Sequence, residues 1–274
     1  MKKIMILAVI TLLAFLSCDS FFSDSFGNSR EYDHTKIDLT INNVDDWVRA
    51  TIGNPPLATA VTAAIMQKLQ TVTNPAERAI YLEHASRLAM QASGLGNTII
   101  VNAADILGGF VMDAGPQGLM DNLTDLLETL QSDFESKGGV NAANDFAALV
   151  NQGIDGQVIP RFNQEFADKV SPSDLTEAVI VLLLAEMAND GNNFSSSNLN
   201  ISSLGLRTRG NPPAVHVADD GVNPPSQSSI ALAAYLNLIA EDGTGKYDNN
   251  PFTSAIRNAL ITEPEPEPEP EEDE

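Results

Sequence analysis

The middle of the chain is punctuated by an Asn or Ser set directly before proline, as at Asn54-Pro55-Pro56, Asn74-Pro75, Ser171-Pro172, Asn223-Pro224-Pro225 and Asn250-Pro251. The side-chain oxygen of Asn or Ser can accept from the first free amides of a helix. Proline suits the first helical position because its missing N-H would have no intrahelical partner there. Glu77, three residues after Asn74, strengthens that start as in a capping box. Repeated starts of this kind commit most of the chain to helices.

Reading onward from these starts predicts helices over 44–52, 56–72, 75–93, 98–112, 118–136, 141–151, 157–170, 173–189, 228–241 and 251–261. Leu119, Leu123, Leu126, Leu127 and Leu130 recur at three- and four-residue intervals and share one helical face. Gly94 and Gly138 stand where a helix stops on a left-handed residue. The run Ala178 to Ala185 is apolar on every side and is bounded by Glu177 and Glu186. Too short to span a bilayer, it reads as the central core helix. The expected fold class is all-α, a multi-helix bundle of antiparallel hairpins with one long irregular loop. Tyr81 to Ala89 resembles one helix of a tetratricopeptide repeat, so a degenerate solenoid of that type is the alternative.

Met1-Lys2-Lys3 followed by the apolar run Ile4 to Leu16 fits the charged and hydrophobic parts of a secretory signal, and the run is short for a permanent membrane helix. It leads into Phe15-Leu16-Ser17-Cys18, which contains the chain's one cysteine. These residues resemble the lipobox of bacterial lipoproteins, in a relaxed form like that of spirochaetes. The resemblance covers about 18 residues and implies cleavage between Ser17 and Cys18. It also implies a diacylglycerol on the Cys18 thiol and an amide-linked acyl chain such as palmitate on the new terminus. Two or three acyl chains anchor stably where one anchors marginally. The corresponding location is the cell envelope, on a bacterial membrane facing the periplasm or exterior. The domain plan is a signal over 1–17, a lipidated Cys18 with a tether over 18–40, a helical domain over 41–262 with an irregular insertion near 190–227, and an acidic Glu-Pro tail over 263–274.

With 37 acids against 15 bases the formal net charge is -22, and a leader carrying Lys2 and Lys3 would take two positive charges with it. The tail EPEPEPEPEEDE holds eight acids, but the body stays strongly acidic without it. Nucleic acid is therefore not an expected partner, because phosphate binding needs clustered Lys and Arg. Without cysteines beyond Cys18 the body has no internal disulfide, and packing must hold it.

Few residues suggest chemistry. Glu241 to Asp248 is similar to an EF-hand calcium loop, in which Asp242, Thr244 and Asp248 would be the metal candidates and Gly245 the turn glycine. Ala240 and Pro251 fall where the first and last carboxylates belong, so the expected reading is a glycine-rich interhelical turn without metal. His216 with Asp219 and Asp220 makes an incomplete ligand set in the long loop. His34 falls in the tether and His84 on a polar helix face. Asp45, Asp46 and Asp113 could pair for glycosidic chemistry. No nucleophile elbow or phosphate-binding loop occurs, and the residues name no catalytic group and no cofactor beyond the covalent lipid. The expected function is a membrane-anchored helical scaffold with a protein partner. A periplasmic carrier of a small-molecule ligand is the alternative, and an envelope glycan hydrolase the third.

Overall fold

The computed structural model describes residues 32–95, 115–156, 158–189, 201–210, 213–218, 225–247 and 250–261. These are predominantly α-helical, with two small two-stranded antiparallel sheets. The helices are α1 (Val44–Ala50), α2 (Pro55–Leu69), α3 (Pro75–Leu82), α4 (Ala85–Ala92), α5 (Gly115–Ser136) and α6 (Gly139–Val150). The hairpin of β1 (Ile154–Asp155) and β2 (Arg161–Phe162) follows, then α7 (Gln164–Ala167) and α8 (Pro172–Asn189). A second hairpin, β3 (Leu206–Arg209) with β4 (Ala214–Val217), precedes α9 (Gln227–Ala240) and α10 (Pro251–Ile256), which runs into a π turn over Arg257–Ile261.

The capping logic holds at the described starts. Asn54 accepts from the Leu57 amide, Asn74 from the amides of Ala76 and Glu77, and Asn250 from those of Phe252 and Thr253. At α8 the cap is reciprocal: Ser171 Oγ accepts from the Asp174 amide at 3.1 Å, and Asp174 accepts from the Ser171 amide at 3.3 Å. Helix α9 starts on Ser226. Gly94 and Gly138 are left-handed, at φ of 72° and 78°.

Helix α8 lies at the centre, touching α4, α5, α6 and α9. Ala178 to Ala185 are buried throughout, as their all-round apolarity requires. Leu126, Leu127 and Leu130 of α5 are buried as well. Leu39 is buried and Tyr32 and Ile37 lean on the core, so residues 32–40 fold with the body.

Two helices read from sequence differ. The predicted 75–93 helix breaks between Leu82 and Ala85. Tyr81, Leu82, His84, Ala85 and Ser86 are all buried. A straight helix turns such a run through more than a full circle, and one face cannot cover it. The stretch resembling a tetratricopeptide helix thus spans two helices. The predicted 157–170 helix is instead a hairpin followed by the four-residue α7. Pro160 lacks the amide a helix interior needs. Gly156 sits at φ 78°, where an added Cβ would meet the Ile159 carbonyl at 3.0 Å. The 98–112 helix lies outside the described residues, as do Ser17, Cys18 and the acidic tail.

Arg78 joins several elements. It donates to the carbonyls of Leu69 at 2.6 Å and Val72 at 3.0 Å beyond the end of α2, and to that of Gln152 at 3.0 Å. A cation suits carbonyls left over at a helix C-terminus. Arg78→Met keeps most of the stem and removes the donors, and its expected cost is about 2 kcal/mol. Thermal unfolding would read this as a fall of about 5 °C. No change in the midpoint would mean that water replaces these bonds freely.

Candidate functional site

An open concavity lies where the first hairpin and α7 face the end of α9 and the turn after it. Its floor is aromatic. Phe162 packs edge-on against Phe166 and Tyr235, with ring centroids 4.7 and 4.8 Å apart, and Tyr235 stacks on Phe146 at 6.2 Å. Tyr247 is buried alongside and donates its hydroxyl to the Val170 carbonyl at 3.1 Å. The cleft encloses about 260 Å³ and opens to solvent.

Its walls are polar and already paired. Arg161 grips Glu241 in a fork, with Nε 2.9 Å from both carboxylate oxygens and a terminal nitrogen 2.6 Å from one. Gln164 donates to Asp168 at 2.7 Å. Lys246 donates to the carbonyls of Ala167 and Asp168 at the end of α7 and stands 5.3 Å from the centre of the Tyr247 ring. Below them Asn237, 2% exposed, binds both hairpins to α9. Its side chain accepts from the Val215 amide at 2.6 Å and donates to the carbonyls of Val215 and Pro160 at 2.9 Å each.

The calcium-loop candidates Asp242 and Thr244 sit on the rim. One carboxylate oxygen of Asp242 accepts from the Thr244 amide and hydroxyl at 3.0 and 2.7 Å, and the other accepts from the Tyr247 amide at 2.8 Å. Burial alone would raise the Asp242 pKa. The hydrogen bonds from Thr244, Tyr247 and Lys246 outweigh it and hold the carboxyl below its ordinary value. Both oxygens are thus occupied in closing the turn. Asp248 lies outside the described residues, and no group of three His, Cys, Asp or Glu among those described is placed to hold a metal.

The carboxylates of this cleft are poorly suited to glycoside hydrolysis, which needs one acid kept protonated near neutral pH. Glu241 is paired with Arg161, Asp168 with Gln164, and Asp242 with backbone amides. Of the other acids considered, Asp45 contacts His84, Asp46 is exposed, and Asp113 lies outside the described residues.

His84 does not occupy a polar face. It is 5% exposed, with Nε2 3.0 Å from Asp45 and Nδ1 buried without a partner. Burial lowers its pKa more than the Asp45 charge raises it, so the imidazole is held neutral. His34 lies on an exposed 3-10 turn. His216 lies on β4, while Asp219 and Asp220 are outside the described residues.

A strongly shifted acid lies on α8. Burial, then the nearby Asp174 charge, raises the Glu177 pKa from 4.5 to about 7, with Arg87 opposing. One oxygen of Glu177 is buried without a partner. Because the folded state holds this proton more tightly than the unfolded chain, the group's contribution is full below pH about 4.5. It is lost as pH rises through about 7. Glu177→Gln is therefore expected to remove up to about 3 kcal/mol of the stability loss between pH 5 and pH 8. Urea unfolding at the two pH values checks this, and an unchanged pH dependence would contradict it.

The cleft residues Arg161, Asn237 and Tyr247 were not singled out by sequence. Arg161 and Glu241 are 80 positions apart, and no local pattern pairs them. Pro160 and Gly156 were the usable signals, since they mark the hairpin that brings Arg161 forward. No family model matches the chain, and neither a curated protein nor a solved structure matches it.

Proposed function

We propose that the protein is a lipid-anchored component of a bacterial cell envelope whose helical body binds another protein through the Arg161–Glu241 cleft. The observation that carries the binding reading is the cleft itself: about 260 Å³, open, and walled by paired polar groups over aromatic rings. Small-molecule sites usually span about 300–1,000 Å³ and bury most of their ligand in apolar surroundings. A shallow cleft of this kind suits one or two side chains inserted from a partner surface, with Tyr247 and Phe162 as apolar footing and the surrounding charges setting orientation. The carrier reading would want a deeper, drier cavity.

The acidic body favours a basic or polar partner surface. The anchor rests on the Phe15-Leu16-Ser17-Cys18 resemblance, with cleavage after Ser17 and acylation of Cys18. Among the described residues no helix is long and apolar enough to cross a membrane. We read the body as a bundle of antiparallel hairpins around α8. In a solenoid each unit meets its neighbours alone, whereas α8 touches helices drawn from both halves of the chain.

The test is affinity capture from a detergent extract with the wild-type chain, with Cys18→Ala and with the cleft variant Gln164→Arg. Capture of one specific protein that Gln164→Arg abolishes supports the reading. A partner indifferent to the cleft variant, or no specific partner with any form, overturns it.

A further inference from the structure

The second hairpin carries a basic face in a strongly acidic protein. Leu206, Val215 and Val217 are buried against the body, while Arg207 and Arg209, two residues apart on β3, are exposed. His216 stands opposite Arg207 in the register, adding an imidazole to the same face. Among the described residues neither guanidinium has an ion-pair or hydrogen-bond partner. Strand geometry spaces the two arginines by about 6.8 Å.

We propose that this face is the docking site of the chain's own acidic tail, Glu263 to Glu274. Glutamates at 263, 265, 267, 269 and 271 alternate with prolines. A polyproline segment turns once every three residues, so glutamates two apart point to different sides and the tail carries carboxylates all round its axis, within reach of the two long arginine side chains without a fixed register. Proline has no amide to add to a strand edge, so recognition falls to the side chains.

The attachment point permits the contact. The middle of β4 is bound at Val215 by Asn237 of α9, and Arg257, just before the tail, donates to the Ile239 carbonyl of the same helix at 2.8 Å. The hairpin and the Arg257–Ile261 turn that leads into the tail thus both contact the C-terminal part of α9. Twelve residues can reach about 37 Å, ample to cross a helix diameter of about 10–12 Å. Exposed ion pairs are individually weak and screened by salt. The short connection compensates by presenting the tail at an effective concentration of order millimolar. Docking would shield the basic face and keep other anions from it. Nothing in this depends on the cleft partner.

The experiment uses the soluble mature chain with Cys18→Ser and a spin label on Glu272→Cys. Expected is strong paramagnetic broadening of the amides of residues 206–209 and 214–217, abolished in Arg207→Glu/Arg209→Glu and at high salt. If that double variant fails to fold, Arg207→Gln/Arg209→Gln replaces it. Hairpin amides untouched by the label, or broadening that survives charge reversal, would overturn the proposal. So would hairpin amides that respond only to vesicles of anionic phospholipid, because the face would then belong to a membrane surface.

Discussion

Asn237→Leu is expected to lower the unfolding free energy by about 3–5 kcal/mol, as the loss of three buried hydrogen bonds at about 1–3 kcal/mol for each stranded group suggests. Leucine keeps the branching and heavy-atom count of asparagine but leaves the Val215 amide, the Val215 carbonyl and the Pro160 carbonyl facing an apolar side chain. Val215 is fully buried, so water cannot readily take over. Asn237→Asp should be no better, because a carboxylate cannot donate to either carbonyl. Since the same side chain fixes both hairpins to α9, the loss should also loosen the cleft wall at Arg161. Urea unfolding gives the free energy, and amide exchange at residues 154–162 and 214–217 gives the location. A change under about 1 kcal/mol would mean that the hairpins are held chiefly by apolar packing.

Leu183→Asp should have a still larger effect. Leu183 is 0% exposed in a segment whose neighbours from Ala178 to Ala185 are all buried, and α8 packs against α4, α5, α6, α9 and α10. A carboxyl there must sit either charged or stripped of water among buried apolar side chains, and it forfeits the packing of the leucine methyl groups. Together these cost more than about 5 kcal/mol, comparable to the whole stability of many domains. The expected result is loss of cooperative unfolding and of the folded-state spectrum. Leu183→Ala is the milder control, at about 2–5 kcal/mol. A folded Leu183→Asp protein would refute α8 as the buried centre.

Local signals were legible where one residue type does one job. The caps at Asn54, Asn74, Ser171 and Asn250, the left-handed stops at Gly94 and Gly138, and the buried run in α8 could each be read from short stretches. The 75–93 helix was too long on paper because periodicity detects one buried face, and here two successive turns are buried on different sides. The 157–170 segment has helical spacing at Phe162 and Phe166, but Pro160 and the cross-strand pairing of Ile154 with Phe162 override it. The cleft was the least legible feature. Its Arg161–Glu241 fork and the Asn237 staple join positions about 80 apart or tie a helix to two hairpins, and nothing local marks such pairs. The stretch similar to a calcium loop forms the turn on the cleft rim, where Asp242 bonds to the loop's own amides.

The proposed lipid anchor rests on residues 1 to 18 and is tested directly by the intact mass of the amino-terminal peptide from the protein as its host produces it. Expected is a peptide beginning at Cys18, heavier by a diacylglycerol and an amide-linked acyl chain, with residues 1–17 gone. An unmodified Cys18, or a peptide that still carries the leader, would contradict the account at its base.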